Sequence, residues 1–201
     1  IGAGFFALEL EGLRGALAAL PWVEQVEVRK RWPDVLEVRL VEHRAWARWG
    51  GDRLLSDRGR VFSAPDAGGF AALPALSGPE ARIREVVAFY NRAQERFAGT
   101  GFRVVAVDLD ARGGWSLRLD DGTDVVIGRA DADARLARFT RLLPQLLAKE
   151  GRPLARADLR YTNGFALVWA APGQARAPAQ ALPVGPPTVP RSLFPVPGLP
   201  T

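Results

Sequence analysis

Cysteine is absent from the 201 residues, and histidine occurs once, at His43. Without cysteine there are no disulfide scaffolds, thiolate nucleophiles or zinc–thiolate centres. The redox compartment stays open, because a cysteine-free chain suits either environment. A single histidine with no carboxylate cluster around it makes no metal site, so His43 reads as a solvated linker residue. No nucleophile stands at a workable spacing from a base, so neither a catalytic site nor a cofactor is expected. No apolar run approaches the roughly 18 residues of a membrane span, and no signal peptide is visible. The chain starts at Ile1 in mid-pattern, as a fragment would.

A concentrated patch of one charge is also missing. The net charge is +5, yet the first 49 residues carry seven basic and seven acidic side chains. Elsewhere the signs interleave, as on solvated faces, so nucleic acid is not an expected partner. Asp108, Asp110, Asp120, Asp121 and Asp124 lack the spacing and distal glutamate of a calcium loop and read as turn and strand-face residues. Gly2-Ala3-Gly4, with no strand before it, is too little for a phosphate loop.

The chain does hold alternating helix and strand patterns. Leu10, Leu13, Leu17 and Leu20 recur at helical spacing until Pro21 ends the run. Val23 to Arg31 and Val35 to Glu42 alternate as two strands, with Trp32-Pro33-Asp34 turning between them. A new β section opens at Ala45 to Trp49. Leu54-Leu55-Ser56 and Arg60-Val61-Phe62 then flank the turn Asp57-Arg58-Gly59. Ser77-Gly78-Pro79-Glu80 has capping-box spacing ahead of a helix whose buried face is Ile83, Val86, Val87, Tyr90 and Phe97. Val104 to Leu109, Trp115 to Leu119 and Asp124 to Ile127 read as strands. A second helix over about 131–149 follows, which Pro144 should kink or split.

The last foldable stretch is Asp158 to Trp169. Leu159, Tyr161, Phe165, Leu167 and Trp169 fall on alternate positions, which predicts one strand with a buried face, bulged at Asn163-Gly164. Two readings stay open. Such a strand at a sheet edge would offer unpaired backbone groups to a partner; equally, it could close the core with Tyr161 packed inside. After Ala171 the composition turns to proline, alanine and glycine, which predicts a disordered tail over 171–201.

Several of these motifs carry a resemblance. Leu20-Pro21-Trp22-Val23 and Arg31-Trp32-Pro33-Asp34 followed by Leu36-Glu37-Val38-Arg39 resemble the polypeptide-transport-associated (POTRA) domain of the FtsQ/DivIB family of bacterial cell-division proteins. Leu54 to Phe62, Trp115-Ser116-Leu117, Gly128-Arg129 and Asp158-Leu159-Arg160-Tyr161 with Asn163-Gly164 and Trp169 resemble that family's β domain. The resemblance implies an α+β chain: a truncated POTRA domain at 1–44 lacking its first strand and helix, a β-rich domain with two helices at 45–170, then the tail. It further implies a non-enzymatic scaffold of the divisome, anchored in the inner membrane by an N-terminal helix outside this sequence, with both domains in the periplasm. FtsB and FtsL-type proteins would add a β segment at the last strand, and other division proteins would engage the POTRA domain. The family's partner contacts carry over to Arg112, Arg160, Tyr161, Asn163 and Gly164. The competing expectation is a POTRA-bearing accessory of outer-membrane protein insertion or secretion.

Overall fold

The computed structural model describes residues 10–33, 35–64 and 67–171, so Gly2-Ala3-Gly4 and the tail beyond Ala171 lie outside the described residues. The fold is mixed, with three helices and two sheets among those residues.

The first part is small. Helix α1 (Leu10–Ala18) leads into the antiparallel hairpin of β1 (Val23–Arg31) and β2 (Val35–Glu42), in which Val26 faces Leu40 and Val28 faces Val38. Its core is thin. The leucines of α1 are only half-buried against β1, and Val23 is the one buried hydrophobic residue before Trp46 among the described residues. Val35, Val38, Leu40 and Val41 stay exposed on β2, and Trp32 at the hairpin tip is 84% exposed.

The second part is a nine-stranded sheet. In chain order its strands are β3 (Ala45–Trp49), β4 (Arg53–Ser56), β5 (Val61–Phe62), β6 (Ala75–Ser77), β7 (Val104–Leu109), β8 (Trp115–Leu119), β9 (Asp124–Gly128), β10 (Leu154–Asp158) and β11 (Ala166–Trp169). In space the order is β11-β10-β9-β8-β7-β6-β3-β4-β5. Parallel neighbours cannot be joined by a tight turn, so a helix bridges each of two parallel pairs. Helix α2 (Ile83–Phe97) links β6 to β7, and α3 (Ala132–Glu150) links β9 to β10. The helices lie side by side, with Phe97 and Phe139 edge to face at 6.5 Å and Arg92 paired with Asp133 at 3.0 Å. Together they cover one sheet face, burying Val107, Leu117, Val125, Ile127 and Ala157. The opposite face presents Asp108, Arg118 and Arg156 to solvent.

Four local expectations change. Asp158 to Trp169 is not one bulged strand. Residues 154–158 form β10, 159–165 loop out, and only Ala166–Trp169 return as β11, antiparallel to β10. The capping box does not form: Glu80–Arg82 is a short 3₁₀ turn without a side-chain cap, and the Ser77 hydroxyl donates instead to Asp108 on β7. Helix α3 runs as a single element through Pro144, whose ring lies on the solvent side, where water can take up the carbonyl that the missing N–H leaves free. His43 is not solvated. Its ring rests against Phe62 at 4.9 Å, its Nδ1 is buried with no partner, and burial pushes the imidazole pKa below its ordinary value.

Phe139 is fully buried between Phe97 and Phe165. Phe139→Ala is expected to cost about 3–5 kcal/mol of unfolding free energy in urea titration, as for other large core aromatics. A loss below about 1 kcal/mol would show that α3 does not anchor the sheet.

Candidate functional site

The outermost strand, β11, has no neighbour on its outer side among the described residues. The backbone N–H of Ala170 donates to Pro153 at 2.9 Å, toward β10. Strand alternation then turns the N–H groups of Leu167 and Trp169 outward, where an added strand would pair. Val168 projects beside them, 55% exposed.

The loop before β11 is held from below. Leu159 is fully buried and donates its N–H to Val126 at 2.7 Å, carrying the β10 alignment one residue further. Phe165 turns inward onto Phe139, with ring centres 5.5 Å apart. From α3, the Arg138 guanidinium donates to the carbonyls of Thr162 at 2.8 Å and Tyr161 at 3.2 Å, and it lies over the Phe165 ring. With its carbonyls and Phe165 fixed, the loop presents Tyr161 outward at 57% exposure. That overturns the reading of Tyr161 as a core residue. Asn163 is exposed and Gly164 half-buried; neither has a positive φ, so the interruption is an open loop and not the left-handed bulge the pair suggests.

Beside this loop a cleft of about 570 Å³ opens on the uncovered sheet face, lined by Arg112, Arg129 and Arg160 together with Asp108, Asp110 and Trp115. Arg112 stands on the β7–β8 turn. The Asp110 carboxylate shapes that turn by accepting the N–H groups of Arg112 at 2.8 Å and Gly114 at 2.7 Å. Those bonds, led by the one from Gly114, hold the Asp110 carboxyl below its usual pKa. A Cβ on Gly114 would fall 2.6 Å from Asp110 Oδ2, so the closed turn requires glycine there. Gly128 is needed on two grounds: its φ is +88°, and a Cβ would meet Arg135 Nη1 and Arg160 Cγ at 3.0 Å.

The structure therefore brings Arg112 and Arg160, 48 positions apart by their numbers, to one cleft, with Tyr161, Asn163 and Gly164 on the adjoining loop. Sequence reasoning missed Asp158, Arg138 and Arg129. Asp158 had a local signal, standing two residues before Arg160. Arg138 had none, because it reaches the loop only through the α3 crossover. Among the described residues no group of three potential metal ligands occurs.

Asp158 clamps Arg160 through contacts of 2.6 to 3.0 Å. That bond holds the Asp158 carboxyl below its ordinary pKa. A depressed carboxylate stabilises the fold fully above its unfolded value, about 3.9, and the contribution disappears as pH falls through the folded value. The melting-temperature gap between wild type and Asp158→Asn should thus be constant from pH 7 to about pH 5 and close at more acid pH. Parallel curves down to pH 2 would contradict the clamp.

Comparison with known proteins agrees with this layout. Residues 47–160 match the family model for the C-terminal region of cell division protein FtsQ/DivIB, and residues 1–43 match the FtsQ-type POTRA domain. Cell division protein FtsQ of Xanthomonas campestris pv. campestris is 57% identical over 163 residues, covering 81% of this chain and 58% of that protein. FtsQ of Thioalkalivibrio sp. is 42% identical, covering 83% of this chain and 70% of the relative. FtsQ of Shewanella oneidensis is 39% identical, with coverages of 82% and 63%. The chain spans between 58% and 70% of the length of these three relatives. With family models matched in both parts and this identity over most of its length, the chain belongs to the FtsQ/DivIB family of cell division proteins.

Proposed function

We propose that this chain is the interaction region of a non-enzymatic divisome scaffold, linking early and late division proteins. In this reading FtsB/FtsL-type partners add a β segment to the outer edge of β11, with Tyr161 as the aromatic anchor and Arg112, Arg160, Asn163 and Gly164 around it. One observation carries the reading. Within the nine-stranded part, the large hydrophobic side chains left exposed among the described residues are Tyr161 and Val168, and both flank the open edge. Exposed aromatic and apolar groups beside unpaired strand amides are what strand addition uses: the backbone supplies affinity and the flanking side chains supply selectivity.

The smaller unit at 1–44 is read as part of a POTRA domain that engages other division proteins. The exposed apolar side of β2 fits a unit whose remaining strand and helix lie elsewhere in the complete protein. The whole protein is placed at the division site, in the inner membrane through a single N-terminal span, with these domains in the periplasm. Among the described residues no helix is long and apolar enough to cross a membrane.

Tyr161→Ala is expected to weaken binding of a purified FtsB-type periplasmic segment by about 2 kcal/mol or more, with an unchanged melting temperature because the ring is already exposed. Titration calorimetry and thermal melts on the same samples measure both. Tyr161 is a cleaner probe than Arg160, whose substitution also releases Asp158. On binding, amide hydrogen exchange should slow at Leu167 and Trp169. Unchanged exchange at both amides in a saturated complex would rule out strand addition at this edge.

A further inference from the structure

The two parts of the chain meet at a joint with little slack. Only His43 and Arg44 separate β2 from β3, and both are tied down. The His43 N–H donates to the Trp22 carbonyl at 2.9 Å, just before β1, and the Arg44 carbonyl accepts the Asp57 N–H at 3.0 Å, just after β4. The Arg58–Glu24 ion pair then joins the β4–β5 turn to β1 across the joint. Its Glu24 side chain is only 14% exposed, and a carboxylate so buried is costly without its partner. The turn that offers Arg58 is itself fixed. The buried Ser56 hydroxyl accepts the N–H groups of Arg58 at 3.3 Å and Arg60 at 3.0 Å.

His43, the single histidine of the chain, sits inside this joint. Its ring rests on Phe62 of β5, and its Nδ1 is buried with no partner among the described residues. The charged groups that face it are Glu24 from β1 and Asp57, Arg58 and Arg60 from the β4–β5 turn. A neutral imidazole suits this place, because its bare Nδ1 has no N–H to satisfy. A charged imidazole has a second N–H and needs an acceptor, and the Glu24 carboxylate is already committed to Arg58.

We propose that His43 and the Arg58–Glu24 pair form an acid-released joint, which locks the two parts in one relative orientation while His43 is neutral and frees them when His43 gains a proton. Burial holds the imidazole below its ordinary pKa, and release would return it to about 6.5. Protons therefore favour the released form. The lock is complete above about pH 6.5 and weakens as pH falls from there through the value in the closed joint. The joint itself does not depend on the partner reading above. Under that reading, its release would change the spacing between partners held by the two parts.

Because the chain has no cysteine, spin labels can be placed by Ala18→Cys in α1 and Ala98→Cys after α2, both exposed. Double electron–electron resonance on the full chain then reads the distance between the parts. Wild type should give a narrow distance distribution at about pH 8 that widens about twofold or more at about pH 5, with an unchanged circular dichroism spectrum. His43→Phe keeps a ring against Phe62 but takes up no proton, so its distribution should stay narrow at both pH values. Glu24→Ala removes the ion pair and should be wide at both. The joint is overturned by a wild-type distribution of equal width at the two pH values, by widening that persists in His43→Phe, or by a Glu24→Ala distribution as narrow as wild type. Widening accompanied by loss of the dichroism signal would be unfolding and would overturn it too.

Discussion

The crossover helix α3 is the constraint on which the open edge at β11 depends. It leaves β9, passes under the sheet and delivers β10 parallel to β9, which alone makes room for β11 as the outermost strand. Its two consecutive residues Arg138 and Phe139 do different work. Phe139 fills the space between Phe97 and Phe165, and Arg138 takes the loop carbonyls that would otherwise need other partners. An arginine side chain that both stacks on a ring and bonds carbonyls fixes the backbone without covering the outward side chains. Tyr161 is thus exposed because its neighbours are held, not because the segment is loose.

The same economy shapes the cleft. Its aspartates serve the fold: Asp158 positions Arg160, Asp110 closes the β7–β8 turn, and Asp108 bonds across to β6. Carboxylates engaged in local bonds are poor competitors for more distant guanidinium groups, so Arg112 and Arg129, unlike the clamped Arg160, are not drawn into short ion pairs with them. A near-neutral cluster can therefore still present directional cationic groups. Net charge, which is spread thinly over this chain, gives no hint of it.

Much of this was legible in the residues. The hairpin around Trp32-Pro33-Asp34, the turn at Asp57-Arg58-Gly59, the β7 to β9 run and both long helices follow directly from periodicity and turn chemistry. The misreadings share one physical cause, that a local pattern carries no information about a neighbour distant in sequence. In β10 the inward residues are Leu154 and Ala157, so its pattern is faint, while Leu159, Tyr161, Phe165, Leu167 and Trp169 mimic a longer strand by accident of spacing. Ser77 looks like a helix cap until β7 places Asp108 within reach of it. His43 looks like a linker until β5 brings Phe62 against it. The site residues Arg112, Arg160 and Tyr161 came from motif resemblance, and only topology shows that two of them share a cleft.

A sheet of nine strands has two edges, and they are treated differently. At one end β5 is only Val61–Phe62, with Phe62 buried and His43 laid over it. So short and covered a strand offers almost nothing to pair with, which is how soluble sheets suppress unwanted association. At the other end β11 is twice as long, has Val168 exposed, and is flanked by Tyr161 and an arginine-lined cleft. Among the described residues none of the usual protections is present there: no covering helix, and no proline or charged residue within Ala166–Trp169. Leaving an edge in that state carries an association risk, and the other edge shows that the fold can remove that risk. The difference between the two edges is the physical argument behind the proposal that a partner strand pairs with β11.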